Sequence, residues 1–596
     1  MNTKSIHKAI AVLPFINMST NKDNEFFSDG ITEEIINALG KIGSLKVTSR
    51  TSSFFFKGKN MAIPEIGKAL NVSTIIEGSV RLAGDSIRIT AQLIQAEEDF
   101  HFWSETWDRK LENIFEIQDE ISLLIADKLR EHFGHLEISD HLVDKQTENI
   151  LAYEQCLKAK YYENKWNPED VKTAISHYEN ALELDVNYSE AHLGLASCYS
   201  FLGTTAFMPF EDAWGKTIQY TQQALALNDQ LSGVHYQLSN QAFFIECNYN
   251  KSLAEMKRAI ALNPNNAEAQ QFISFLYSIS DQKTKSNYHL EIALSINPLS
   301  EETHFFRAYH HYMVNEYSKS LELLNSCLAT NDKNIPAHSV KTLCLLKLGR
   351  YDDVLNYFDS IPQDVVIPGE KTGAIALAYA LKGDTVRTTE YLALLEDMAI
   401  APNGFTADSY LFLMYVITKQ YDKAFNWAEL AILNKSSLLL LRYTDPICNT
   451  LREDPRFEPL MTQIYSVDEI ITKSNKKKNL LDKDTVIDYK NKLLNHLTEQ
   501  KSYLETNLTL RILAEKIQIH PNQLSWLLNE DIGQNFNSFI NKYRIEAFKL
   551  NVKNPKHSHL TIEGLAHESG FNSKTVFNTY FKKETGLTPK QFIKQL

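Results

Sequence analysis

Four groupings in this 596-residue chain have residue types suited to chemistry, yet none completes a site. GEKTG (369–373) has the Gly and Lys of a phosphate cradle. It lacks the spacing that lets successive backbone N–H groups surround a phosphate. His310-His311 offers two imidazoles with no third ligand at metal spacing, so a structural role on a helix explains the pair. HESGF (567–571) is not the HExxH of a zinc protease. Cysteines 156, 198, 247, 327, 344 and 448 are scattered without a CxxC, which argues against zinc or a disulfide framework and fits a reducing compartment. The expectation is therefore no metal, no cofactor and no catalysis.

A different chemistry suits GFNSKTVFNTYFKKETGLTP (570–589). Phe577 and Phe581 recur at i, i+4 with Phe571 just ahead, the spacing of an apolar face packed on a core. Nearly everything between them is polar. One side of the helix is accounted for by packing, and the other is a polar surface needing a partner or only water.

Charge narrows the choice. The chain carries a net −13, which by itself opposes nucleic-acid binding. Residues 483–596 nevertheless hold 16 Lys/Arg against 11 Asp/Glu, a net of +5, leaving −18 on the rest. A basic end on an acidic body points to nucleic acid at that end and other work for the body.

The elements that must position this surface form a repeated plan. TLRILAEKIQIHPNQLSWLLNEDIG (509–533) and TIEGLAHESGFNSKTVFNTYFKKETG (561–586) each read as a short helix with Leu-Ala, a tight turn, and a second helix. Ala514 and Ala566 suit a close helix crossing. Gly570 suits a turn residue at positive φ, where Gln518 stands in the first copy at a cost of about 1 kcal/mol. Pro521 fits the first turn of its helix.

On these residues, and on FINKYRIEAFKLNV (539–552) as a joining helix, the region 486–596 resembles the paired helix-turn-helix domain of AraC-type transcription regulators. The resemblance implies that each second helix enters a major groove of double-stranded DNA, one helical turn apart. Carried over by position, it assigns DNA contacts to Asn522, Gln523, Ser525 and Trp526 in the first copy. In the second copy they fall on Asn572, Ser573, Lys574, Thr575, Asn578 and Thr579. Asn and Gln can pair with adenine and Lys with guanine acceptors, while Arg544, Lys549, Lys582 and Lys583 would neutralise phosphates. Each polar residue also reads as a plain solvated face, and Trp526 either as a thymine or sugar contact or as partly core.

The remaining 480 or so residues divide in two. Residues 8–135 alternate strand and helix signals: KAIAVLPF (8–15) as a strand, 29–42 as a helix, LKVTSRTS as a second strand, IPEIGKALN as a helix opened by Pro64. A hairpin turns at Ala83-Gly84-Asp85, and 113–133 is a closing helix. With AVLPF (11–15), FFSDGITEEI (26–35), SRTSSFFFKGKN (49–60) and IIEGSVR (75–81), residues 1–135 resemble the TolB-like domain found ahead of tetratricopeptide repeats, a non-catalytic module. From 150 to 465 five similar segments, ALELDVNYSEAH, ALALNDQLSGVH, AIALNPNNAEAQ, ALSINPLSEETH and CLATNDKNIPAH, begin at Ala181, Ala224, Ala259, Ala293 and Cys327, so that the last three spacings are 35, 34 and 34 and the first is 43. That period is the tetratricopeptide signature, a stack of helix pairs with a concave groove.

The expected architecture is multidomain: a small α/β domain, an all-α repeat superhelix, a linker over 466–485, and an all-α double helix-turn-helix domain. The function implied is a sequence-specific DNA-binding transcription regulator whose body receives a signal through a protein or peptide in the repeat groove. The alternative is an interaction scaffold dominated by its repeats. A homodimer stays open. No run of about 18 apolar residues appears, as a membrane helix would require, and the expected location is the cytoplasm.

Overall fold

The computed structural model describes residues 8–21, 24–165, 167–204, 207–401, 404–465 and 480–595. The chain is multidomain and mostly helical, with one mixed sheet near the N-terminus.

The sheet runs β3 (Lys46–Val47), β1 (Ala9–Val12), β4 (Thr74–Ala83), β5 (Ser86–Gln95), β6 (Phe100–Lys110), with β2 (Ile16–Asn17) also paired to β4. β1 lies parallel to β3 and β4, while β4, β5 and β6 form an antiparallel meander. Ile10, Ala11 and Val12 are fully buried, as an inner parallel strand requires. The hairpin turns where expected, with Ala83 opposite Ser86 and Gly84 at φ +59°. One expectation changes. LKVTSRTS gives only a two-residue strand, because Ser49 accepts from the Ser52 N–H and starts the short helix α2 (Arg50–Phe54). β6 was not marked as a strand by alternation, since Trp107 is its one buried residue. Helices α1 (Glu25–Gly40), α3 (Ile63–Leu70, opened by Pro64) and α4 (Ile114–Phe133) complete this domain.

Antiparallel helix pairs follow from Ile150–Glu163 to Phe457–Tyr465, stacked in the tetratricopeptide manner. Asn side chains cap many of them: Asn167, Asn248, Asn266 and Asn334 each accept from a first-turn N–H. Small residues let the helices approach. A Cβ on Gly194 would lie 2.1 Å from the Tyr178 ring, and one on Gly373 would lie 2.2 Å from the Tyr410 ring. The longer first spacing is taken up by longer helices, 16 residues in Ser189–Thr204 and 18 in Phe210–Leu227, against 13 or 14 in the next pairs.

The sheet domain does not stand apart from the array. Tyr153 and Leu157 of the first repeat helix belong to its core, and Leu157 packs on Gly30. Further along, Asn265 Nδ2 donates to the Gly40 and Leu45 carbonyls at 2.9 Å. The Ser49 and Ser52 hydroxyls donate to Asn297 Oδ1 at 2.6 Å. The repeat turns therefore brace the edge of the sheet at two points.

Of the expected linker, 466–479 lies outside the described residues, and Lys483 already begins the helix Lys483–Glu499. Two helix pairs then flank the long helix Phe536–Lys553: Leu510–Lys516 with Pro521–Trp526, and Ile562–Glu568 with Lys574–Thr585. The long helix gives Phe536, Phe539 and Ile540 to one core and Ile545 and Phe548 to the other.

Candidate nucleic-acid interface

Each candidate helix is held by the turn before it. Gly570 sits at φ +94°, with the Tyr503 carbonyl 2.3 Å from where a Cβ would be, so only glycine fits. Gln518 holds the equivalent place at φ +58°, bearing the cost of a side chain in the left-handed region. Phe571, Phe577 and Phe581 are 3%, 1% and 0% exposed; Phe577 and Phe581 pack on Phe548 and Phe571 on Phe577, which anchors the last helix by one face.

The opposite face of that helix is open. Asn572, Lys574, Thr575, Asn578 and Thr579 are exposed, as are Lys582 and Lys583. Ser573 is half-buried and caps the helix by accepting from the Val576 N–H. Lys574 Nζ lies 3.4 Å from Glu563 Oε2, with both side chains about two-thirds exposed, a pairing weak enough to exchange for another anion. Amides, hydroxyls and ammonium groups thus line one ridge, the inventory that reads base edges and phosphates.

The first helix differs in every respect. Ser525 is fully buried, its Oγ without a hydrogen-bond partner among the described residues, so the expected DNA contact at this position is corrected to an interior one. Gln523 is half-buried and its Oε1 accepts from the His520 N–H at 3.1 Å, closing a capping box. Trp526 is half-buried beside the buried Leu527 and Leu528. Asn522 is committed at both ends of its amide: Oδ1 accepts from Arg130 Nη1 at 2.8 Å and from the Ile138 N–H at 3.3 Å. Its Nδ2 donates to the Ile138 carbonyl at 3.1 Å.

One phosphate candidate also changes. Arg544 Nε donates to the Tyr503 carbonyl at 2.7 Å and Nη2 to the Glu505 carbonyl at 2.8 Å. It is a strut between the long helix and the preceding loop, not a free cation, and burial draws its guanidinium below the usual range. Lys549 stays a candidate, since its 2.6 Å pairing with the exposed Glu546 is a surface pair like that of Lys574. Sequence reasoning also missed Asp127, Arg130 and Glu131 of α4, which meet the first pair. Their spacing is that of an ordinary charged helix face, and nothing local marks them.

A helix-turn-helix domain model matches residues 513–595. Over 90 residues the chain is 33% identical to an uncharacterized HTH-type transcriptional regulator of Staphylococcus aureus (strain COL), covering 15% of this chain and 12% of the relative. Over 220 residues it is 36% identical to a putative adenylate cyclase 3 of Rhizobium meliloti (strain 1021), covering 37% of this chain and 36% of the relative. The chain thus spans about a third or less of the length of these curated relatives. Among solved structures, a tetratricopeptide repeat protein from Parabacteroides merdae aligns over 45% of this chain and 99% of its own, at TM-score 0.31 and 12% identity.

Proposed function

We propose that the chain is a sequence-specific regulator of transcription that binds double-stranded DNA through a pair of helix-turn-helix units of AraC type. The observation that carries this is the exposed polar ridge of Lys574–Thr585, in a basic end of an acidic chain and within the matched helix-turn-helix segment. The helix Phe536–Lys553 contributes to both cores and so fixes the spacing of the two candidate helices, as a two-site reader of one DNA face needs.

The repeat array serves as a protein- or peptide-binding module, and the N-terminal domain, which we assign to the TolB-like type, links it to the DNA-binding end. We take the protein to be cytoplasmic and non-catalytic. Among the described residues no group of His, Cys, Asp and Glu could hold a metal ion. Purified protein given ATP and a divalent cation should form no cyclic nucleotide.

The test is selection from a random duplex library with the 480–596 fragment, whose two cores are built only from its own residues. A recovered consensus is the expected result, with binding that falls steeply as salt rises. Recovery of no preferred sequence would reject the proposal. In that case deletion of 466–596 should leave the cellular phenotype intact, as expected of a scaffold working through its repeats.

A further inference from the structure

Two independent cores present two candidate helices, yet only one of them faces solvent. The other lies against α4 and the segment that follows it. Besides the Asn522 contacts, Arg511 Nε donates to Asp127 Oδ2 at 2.8 Å, and the Leu510 N–H donates to Glu131 Oε1 at 3.0 Å. Asn535 Nδ2 donates to the His132 carbonyl at 3.0 Å. Gly134, at φ +93°, comes so close that a Cβ there would lie 2.6 Å from Asn529 Oδ1.

The chemistry of this seam is specific. Asp127, Arg130 and Glu131 are 5%, 1% and 3% exposed, and charged side chains are rarely buried unless partnered. Asp127 pairs with Arg130 within α4, and Glu131 with Lys128, and each of the three also reaches across to the first helix pair. What α4 offers that pair is two carboxylates. They meet a guanidinium and a backbone N–H in the first turn of Leu510–Lys516. Those are the donor types that hold DNA phosphate oxygens. Arg130 and the Ile138 backbone together hold the Asn522 amide away from any adenine edge.

We propose that α4 is a docking surface for the first reading helix that competes with DNA, its carboxylates standing where phosphates would lie, so that the full chain reads with one helix until the seam opens. This rests on the DNA-reading function above. The sheet domain carrying α4 is braced by Asn265 and Asn297 of the repeats, so a partner that shifts those repeat turns has a direct route to the seam.

The test compares the full chain with the 480–596 fragment on the duplex selected by that fragment. The full chain should bind at least ten-fold more weakly and should protect one major-groove segment from cleavage where the fragment protects two. Full-length D127N and R130Q should each recover affinity toward the fragment and gain the second footprint, with circular dichroism confirming that they fold. Amide exchange supplies a readout without DNA: protection of the Leu510 N–H should drop in both variants. Equal affinity and equal footprints for full chain and fragment would overturn the competition alone. A fragment that binds no duplex would overturn the DNA-reading function and the competition with it. Unchanged affinity in both folded variants would likewise reject the role given to the seam.

Discussion

The Tyr312 hydroxyl donates to Asp445 Oδ1 at 2.6 Å, joining residues 133 positions apart in the fully packed interior of the repeat array. Asp445 also accepts from the Ile447 N–H at 2.9 Å, and Arg442 stands 3.6 Å away. Close by, the Thr444 hydroxyl donates to the Ile279 carbonyl at 2.6 Å, and Lys347 Nζ donates to the Pro446 carbonyl at 2.9 Å. The last turns of the array are thereby fastened to its middle by polar contacts. Burial raises the Asp445 carboxyl above the usual range, against the opposing pull of Arg442 and the Tyr312 hydrogen bond.

Y312F should therefore cost about 1–3 kcal/mol, since it leaves a buried carboxylate short of a donor. Urea unfolding of the full chain will show this as a lower midpoint. The duplex affinity of the 480–596 fragment, which lacks both residues, provides the unaffected reference.

The two turn residues predict opposite signs for exchange. G570A places a methyl group against the Tyr503 carbonyl at positive φ and should destabilise the C-terminal fragment by more than about 1 kcal/mol. Q518G relieves left-handed strain at φ +58° and should leave stability unchanged or raise it by up to about 1 kcal/mol. Thermal melts of the two fragments decide the matter, and a stabilised G570A would contradict the geometry.

Within the exposed ridge, K574A and N578A should each weaken binding to the selected duplex by about 1–3 kcal/mol if the residue touches a base edge. Neither should move the melting temperature much. R544A should do the reverse, lowering stability by freeing the Tyr503 and Glu505 carbonyls. S525A should change neither by more than a few tenths of a kcal/mol, its hydroxyl being buried and unpaired. Titration calorimetry with parallel melts separates these cases.

Two imidazoles of the repeat array should contribute a loss of stability in mild acid, opposed by Glu268, whose carboxyl is raised to about 7 by desolvation. Burial pulls the imidazoles of His289 and His310 down to about 4 from an ordinary 6.5. Between those values these two imidazoles bind protons in the unfolded chain but not in the folded one, so their contribution to stability is fully present above pH 6.5 and falls as pH drops toward 4. Melting temperatures across that window should decline less steeply in an H289Q/H310Q variant than in the native chain. Parallel slopes would remove these two residues from the account.

What the sequence made legible was whatever depends on near neighbours. The repeat period, the phenylalanine face at 571, 577 and 581, and the positive-φ turn at Gly570 all follow from local spacing and backbone sterics. Residues whose fate depends on distant partners were misjudged or missed. Arg544 looks like a surface cation on its own helix, and only the loop 503–505 turns it inward. Ser525 is a polar residue on a candidate reading helix, yet that helix packs so that the hydroxyl points inside. The charges of α4 carry an unremarkable pattern whose partners lie some 380 to 390 positions away. β6 was missed for a related reason: a strand exposed on most of its length has no alternation to detect.

If both helices read DNA as proposed, their unequal exposure has a consequence for time on DNA. A protein gripping with one helix leaves a site quickly, which suits scanning. Once the second helix engages, its binding becomes an intramolecular step, and such linkage can raise avidity by about 10²–10⁴ without a new kind of contact. The side chains of the two helices would then choose the address, while the seam that Arg130 and Asn522 help to close would set the length of stay.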